Sequence, residues 1–522
     1  MTAEHKRQLE KQLWNIADLL RGKMNADEYK NYILGFIFYK YLSEKQQAYA
    51  DDLLKTDKVK YSSLISGKND DMLQVISRRS LDSLGFFLEP IELFEHLVKK
   101  GRGEIEGEDS FILEDLKSVL NNIEQTAVGN DSEDDFIGLF EDVDLTSAKL
   151  GRTEKDKNEI ITDILSHLDE IDFQLKDAKS DVLGDAYEYL IGKFAAGAGK
   201  KGGEFYTPAQ VSQLLSMIVT QDKKRIKAVY DPTCGSGSLL LRVKDFTKVD
   251  NYYGQELNRT TYNLARMNML LHDVHYANFD IKQGDTLTTD LFEDLQAEAL
   301  VANPPFSAKW KGSDDPVLAE DERFTQYGAL APKNKADFGF VTHMLYHLAD
   351  NGTMAVVLPH GVLFRGGAEG KIRQYIIEKQ NSLDAVIGLP SNLFYGTSIP
   401  ATVLVFKKCR HTDDNIFFID ASKEFEKGKN QNNLTDENLQ KIFETYTGRK
   451  EIEKYSHCAT LEEIKENDFN LNIPRYVDTF EEEEQIDIDV VSRELQKLQK
   501  DEKKMQENIA EFCDELEINK PF

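Results

Sequence analysis

Residues Ala228–Gly237 read AVYDPTCGSG, an apolar run that stops at Asp-Pro and turns through two glycines into the helix-like SLLLRV (238–243). Outward from it the same pattern recurs as YYGQELN (252–258), IKQGDTL (281–287) and ALVANPPF (299–306). It continues as GTMAVVLPHG (352–361), LDAVIGLP (383–390) and ATVLVFKK (401–408), with helical stretches between. Short β-rich runs alternating with helices predict an α/β fold on a mainly parallel, doubly wound sheet. Ligands in such sheets sit beyond the carboxyl ends of the strands, where these runs place Asp, Glu, Asn, Gly and Pro.

The flanks read differently. Residues 1–150 lack strand alternation: Leu13, Trp14, Ala17 and Leu20 recur at helical spacing, and ILGFIFYKYL (Ile33–Leu42) reads as a buried helix. Acidic loops such as GNDSEDD (Gly129–Asp135) punctuate this region, and the polar SAKLGRTEKDKNE (Ser147–Glu159) reads as a linker. From Asp478 the chain turns acidic (EEEEQIDID) and then helical. Val491, Leu495, Leu498, Met505, Ile509, Phe512 and Leu516 form a heptad seam interrupted at Glu502. That stripe suits either a helix packed on its own domain or one that pairs with a partner. The expected division is a helical N-terminal domain over 1–150, an α/β catalytic domain over 151–477 and a helical tail over 478–522.

At 522 residues the chain is too long for one ordinary core. No apolar run approaches the ~20 residues of a spanning helix, and the N-terminus has no apolar h-region, so neither a membrane span nor a signal peptide is expected. Cys234, Cys409, Cys458 and Cys513 lie far apart without a CxxC pair. That spacing fits a reducing cytoplasm rather than a zinc site or a disulfide framework. The net charge of −28 sets a condition on function. Solitary DNA binders usually carry a basic footprint, so either the substrate is not nucleic acid or a partner supplies much of the DNA contact.

Asn303-Pro304-Pro305-Phe306 follows directly on an apolar strand. Two prolines stiffen the loop and remove two donors, so its carbonyls stay free. The Asn303 carboxamide and the Pro304 carbonyl suit the two hydrogens of a planar exocyclic amine, and Phe306 offers a face for an extruded base. The plainer reading is a rigid turn with a capping asparagine. In Asp231-Pro232-Thr233-Cys234-Gly235-Ser236-Gly237 the glycines let backbone approach a ligand at a strand-to-helix turn. Its continuation, Ser238-Leu239-Leu240, lacks the third glycine of the dinucleotide fingerprint, which counts against a nicotinamide enzyme. The next strand ends in Glu256, placed for two ribose hydroxyls, and the third leads to Asp285, an acceptor for an adenine amine. Upstream, in Gly202–Pro208 (GGEFYTP), Thr207 before Pro208 reads as a helix start whose free amides suit a carboxylate.

FYTP, DPTCGSG, GQE, GDT and NPPF, in that order, resemble the motif series of amino-methylating DNA methyltransferases whose cofactor motifs precede the catalytic one. LWNIADLLRGKMNADEYKNYILGFIFYKYLSE, LPHGVLFRGGAEGKIR, IGLPSNLFYGTSIPATVLVF and NLNIPRYVD extend the likeness to the methylation (M) subunit of type I restriction–modification systems. It covers essentially the whole chain, least specifically between Tyr61 and Lys179 and in the tail. The resemblance implies a Rossmann-like, S-adenosylmethionine-dependent methyltransferase domain behind a helical N-terminal domain. It implies a complex with a DNA-specificity subunit, a restriction subunit for cleavage and a second copy of itself. It places the cofactor's methionine end near Phe205, Tyr206, Thr207, Pro208 and the loop carrying Asp231, Thr233, Gly235, Ser236 and Gly237. Its ribose falls at Glu256 and its adenine at Asp285, with the target base at Asn303, Pro304, Pro305 and Phe306. An initial Asn favours adenine N6 over cytosine N4.

Between NPPF and DFGFVTHML (Asp337–Leu345) there is too little chain for a separate target-reading domain, which again points to borrowed specificity. No metal is required, and His343, His347 and His360 read as structural. The nearest rivals keep the enzyme and change the substrate to RNA or a protein glutamine amide. A non-catalytic scaffold has no use for FYTP, the glycine loop and NPPF together.

Overall fold

The computed structural model describes residues 11–16, 20, 24–173, 182–198, 206–411, 414–429, 431–479, 488–516 and 518–521. Its contacts separate two units, Met1–Val477 and Asp478–Phe522.

In the larger unit each β-rich run becomes a strand: β1 (Arg225–Asp231), β2 (Lys248–Glu256), β3 (Phe279–Gln283), β4 (Ala297–Ala302), β5 (Leu348–Pro359), β6 (Leu383–Gly388) and β7 (Ala401–Lys407); β8 (Ile416–Asp420) is an additional strand outside those runs. A small hairpin, β9 (Glu426–Lys427) with β10 (Asn432–Asn433), and β11 (Ser456–Ala459) follow. Among the described residues the main sheet runs β11-β8-β6-β7-β5-β4-β1-β2-β3. β1 pairs parallel with β2 and β4, β2 with β3, β4 with β5, and β6 with β8. β7 runs antiparallel between β5 and β6, and β11 antiparallel to β8. The 389–400 link from β6 to β7 holds no helix to carry a parallel crossover, so the chain returns as an antiparallel neighbour. Strand order reverses at β1, whose flanking strands are β2 and β4, and the crevice beyond their carboxyl ends is the ligand position of such sheets.

Both sheet faces are buried, with side chains alternating at period two. Val229, Ala299, Val301, Ala355 and Val357 face one core; Ala228, Tyr230, Leu300, Ala302, Met354 and Val356 face the other. The first core continues into the N-terminal helices, where the long helix Ala26–Leu53 is buried almost all round from Tyr32 to Ser43. Its tyrosines satisfy their hydroxyls on distant backbone: Tyr32 on Asp144 O (2.7 Å), Tyr39 on Glu92 O (2.6 Å) and Tyr41 on Leu270 O (2.6 Å). Among the described residues no helix is long and apolar enough to cross a membrane.

The linker expected over Ser147–Glu159 is instead structured. Thr153 caps the helix Glu154–Asp169 in a reciprocal box with Asp156, and buried Asn158 accepts from the amides of Ile112 (2.8 Å) and Leu113 (3.2 Å). Its polar side chains mimic a linker because they are engaged in capping and bracing. Among its described residues the smaller unit is one helix, Ile488–Glu515, whose Leu495, Leu498, Met505, Phe512 and following Leu516 are all more than half exposed.

Candidate active site

The turn after β1 is bonded within itself, to the end of β2 and by side chains of two more distant elements. Asp231, 1% exposed, accepts from Thr233 N (2.8 Å) and Thr233 Oγ1 (3.3 Å). Gly235 (φ 56°) and Gly237 (φ 76°) take left-handed conformations that glycine adopts without strain. Cys234 N donates to Gln255 O at 3.0 Å, and Gly237 N to Cys234 O at 2.8 Å. Asn268, from the helix Arg259–Leu271, donates to Ser236 O at 3.0 Å. Glu256, at the end of β2, accepts from Gly235 N (3.0 Å) and Asn258 N (2.8 Å). Burial pushes the Asp231 carboxyl up to about 8, opposed by the Thr233 hydrogen bonds and reinforced by nearby Glu256. Burial also raises Glu256, against its backbone hydrogen bonds. Two desolvated acids therefore lie beside a turn built for close approach, a setting that favours a ligand bringing hydrogen-bond donors or positive charge.

After β3, Asp285 is half-buried and Oδ1 accepts from Leu287 N at 3.0 Å. The adjoining Thr286 hydroxyl donates to Pro232 O at 2.5 Å, tying this loop to the glycine turn. Arg323, from the segment between NPPF and the helix Asp337–His347, donates to Thr286 O at 2.8 Å.

The turn after β4 is different in kind. Asn303 Nδ2 donates to Thr207 Oγ1 at 3.2 Å, while Asn303 Oδ1 is buried with no hydrogen-bond partner. Pro304 is buried, Pro305 exposed, and half-buried Phe306 meets Phe394 edge-on at 5.7 Å between ring centroids. The expected role of Thr207 as helix starter is corrected here. Pro208 is the cap residue of the helix Ala209–Thr220, no side chain caps that end, and Thr207 faces Asn303 instead. Tyr206 packs beside Tyr395 at 6.1 Å between ring centroids. With Pro208, Gln210 and Leu393 these two rings line a cavity of about 220 Å³. Burial raises the Tyr206 hydroxyl, and Glu188 adds to it. Phe205 lies outside the described residues.

Beneath the sheet, Asp290, His343 and His347 gather possible ligand atoms within 4.8 Å. Arg323 Nη1 donates to His343 Nδ1 at 3.0 Å, leaving the ring proton on Nε2, which meets Tyr230 Oη at 2.8 Å. His347 bonds Leu295 O (2.8 Å) and Asp290 Oδ2 (2.9 Å). Burial is the largest single influence and works against ionisation of Asp290, but the hydrogen bond and charge of His347, with the neighbouring His343 and the Phe292 amide, together outweigh it and hold the carboxyl below its ordinary range. With every ring nitrogen engaged, the trio acts as an internal brace. His360 likewise bonds Ala401 O at 3.0 Å.

Several residues at this face have no role in the reading above, although all but Arg323 lie within the quoted motifs: Phe394, Thr286, Arg323, Asp337, Arg365 and Glu369. The signal for the last two was present as an i,i+4 Arg–Glu pair in LFRGGAEG. Nothing local pointed to the others.

Residues 178–485 match the family model described as N-6 DNA Methylase, and residues 9–168 that of the HsdM N-terminal domain. The type I restriction enzyme MpnII methylase subunit of Mycoplasma pneumoniae is 38% identical, across 99% of this chain and 97% of its own length. The MjaVII methylase subunit of Methanocaldococcus jannaschii is 32% identical, across 95% and 82%. The crystal structure of a type I restriction-modification system methyltransferase subunit from Streptococcus thermophilus matches with a TM-score of 0.81 at 44% identity, covering 90% of this chain and 99% of that one.

Proposed function

We propose a function from one premise: the chain belongs to the N-6 DNA methylase family, as a relative of the methylase subunits of type I restriction enzymes. It transfers methyl from S-adenosylmethionine to the N6 amine of an adenine swung out of DNA. The observation that carries this reading is Asn303 Oδ1, an acceptor buried beyond the end of β4 with no partner. Leaving a buried acceptor unmade costs about 1–3 kcal/mol, so the site is built for a donor that arrives from outside. A planar exocyclic amine supplies that donor. The Phe306 face, backed by Phe394, takes the base.

Bound S-adenosylmethionine supplies an electrophilic methyl on a positive sulfur. Asp231 and Glu256, both desolvated, would hold its ammonium and ribose hydroxyls, and Asp285 its adenine amine. The glycine turn at Gly235 and Gly237 lets backbone come close, with Thr233 and Ser236 beside it. Asn303 orients the amine, with Pro304 and Pro305 keeping its loop rigid, so the protein's contribution is alignment and preplaced acceptors. Thr207 holds the Asn303 carboxamide from below, between Tyr206 and Pro208.

The net charge of −28 makes this chain a poor solitary DNA binder. Sequence reading then falls to a specificity subunit, cleavage to a restriction subunit, and a second copy of this chain completes the complex. Residues 1–150 serve as a helical N-terminal domain, 151–477 as the catalytic domain and 478–522 as a docking tail. The uncrosslinked cysteines suit a cytoplasmic setting. The test is Asn303→Ala: transfer is lost while cofactor binding persists. Equal loss of both would mean a folding defect, and intact transfer would refute the role of Asn303.

A further inference from the structure

Ser307, the residue after Phe306, sits at φ 52°, a left-handed conformation held without glycine. Its amide donates to Asp337 Oδ1 at 2.8 Å. Asp337 opens the helix Asp337–His347 and is 1% exposed. Its other oxygen accepts from Arg365 Nη2 at 2.7 Å. Arg365 in turn bridges to Glu369, Nε to Oε2 at 2.6 Å, and Glu369 is 2% exposed. The strand of chain beyond Ser307 is fastened to the same place, Ala336 N donating to Ala308 O at 2.9 Å and Trp310 N to Lys333 O at 2.9 Å.

A buried carboxylate–guanidinium–carboxylate chain is weak evidence for stability. Well-packed apolar groups of the same volume often do as well or better, whereas charged groups fix one geometry. What this chain fixes is the exit of the NPPF loop. Stiffened by two prolines, that loop transmits the setting of Ser307 back to Phe306 and Asn303.

We propose that Asp337, clamped by Arg365 and Glu369, is a positioning residue for the base-binding loop. It keeps Ser307 left-handed so that the Phe306 ring and the Asn303 carboxamide stand ready for an extruded base. This rests on the methyltransferase reading for its meaning in catalysis, but its structural half stands alone.

The experiment uses the full chain, with a specificity subunit and target duplex for activity. Four proteins are compared: wild type, Asp337→Ala, Asp337→Ala combined with Ser307→Gly, and Arg365→Lys. In Asp337→Ala, kcat falls about 100-fold, the scale of a misplaced reacting group, while affinity for S-adenosylmethionine is unchanged. Amide hydrogen exchange over residues 303–308 quickens in the same variant. Ser307→Gly restores a large part of kcat, because glycine adopts the left-handed conformation without the clamp. Arg365→Lys, which keeps charge but not the forked geometry, falls between. Unaltered exchange in Asp337→Ala overturns the proposal, as does unaltered kcat. So does a loss of kcat that follows the melting temperature and is not relieved by Ser307→Gly, since that marks a merely structural role. If wild type itself transfers no methyl group, the methyltransferase reading fails, and the exchange measurement still decides whether Asp337 holds the loop.

Discussion

The turns after β1 and β4 stand on either side of one crevice, yet they are held differently. The β1 turn is bonded largely within itself and to the adjoining strand, Thr233 to Asp231, Gly237 to Cys234, Cys234 to Gln255 and Gly235 to Glu256, with Asn268 and Thr286 securing the Ser236 and Pro232 carbonyls from farther along the chain. The β4 turn is held from far along the chain, by Thr207 on one side and Asp337 on the other, and leaves one acceptor open. A turn bonded largely within itself and to the next strand is suited to receive a cofactor the same way each time. A turn braced from outside, with an unsatisfied acceptor, is suited to grip a base that enters and leaves.

If that division is right, damage to the two turns separates in kinetics. Asn303→Ala gives the largest effect, lowering kcat by about 100- to 1000-fold, the range for loss of one preorganised hydrogen bond at a reacting centre. Cofactor affinity, read by calorimetry, stays near wild type. A matching collapse of affinity would erase the distinction between the turns.

Gly254→Ala works from the other side. A Cβ at Gly254 would stand 2.8 Å from Ile281 Cδ1 and 2.9 Å from Cys234 Sγ, so the β1 turn must shift. Overpacking of this kind costs about 1–3 kcal/mol, and the loss appears in melting temperature and in cofactor affinity. Affinity equal to wild type would show that the turn yields without consequence.

A subtler effect concerns protons. With its carboxyl pushed up to about 8 by burial, Asp231 is mostly neutral at pH 7 in the free protein. Because the folded value lies above the ordinary unfolded value of about 4, stability falls as pH rises from there to about 8 and then levels off. A cationic ligand prefers the ionised form, so cofactor binding at pH 7 releases a proton. Calorimetry in two buffers of different ionisation enthalpy detects the release, and Asp231→Asn removes it. Heats that are the same in both buffers would place the cofactor's charge elsewhere.

Removal of residues 488–522 leaves the sequence of both turns intact and has the smallest expected effect on them. Cofactor affinity is unchanged, while association with the specificity subunit is lost, because the exposed stripe of Leu495, Leu498, Met505 and Phe512 is gone. A truncated chain that still assembles would rule the tail out as a docking element.

The same contrast governs what could be read from the sequence. Strands β1 to β7 were legible because each is a short apolar run stopped by turn residues, and the glycine turn because most of its bonds link residues close in sequence or on the adjoining strand; β8 was not among the runs read from the sequence. Asn303 and Phe306 were legible as residue types. Their supports were not: Asp337 lies 30 residues from Ser307 and Phe394 lies far beyond Phe306, contacts that only the folded chain creates. Thr207 before Pro208 looked like a helix cap, but a remote partner, Asn303, claimed its hydroxyl. The polar run Ser147–Glu159 looked like a linker for a related reason, since its Thr153, Asp156 and Asn158 are used internally.

The most direct measurement is transfer of labelled methyl from S-adenosylmethionine to DNA, with and without a specificity subunit, followed by identification of the methylated base. N6-methyladenine formed only when the specificity subunit is present is the predicted result. Cofactor bound but no methylated DNA in either case, with label found instead on RNA or on a protein amide, would contradict it.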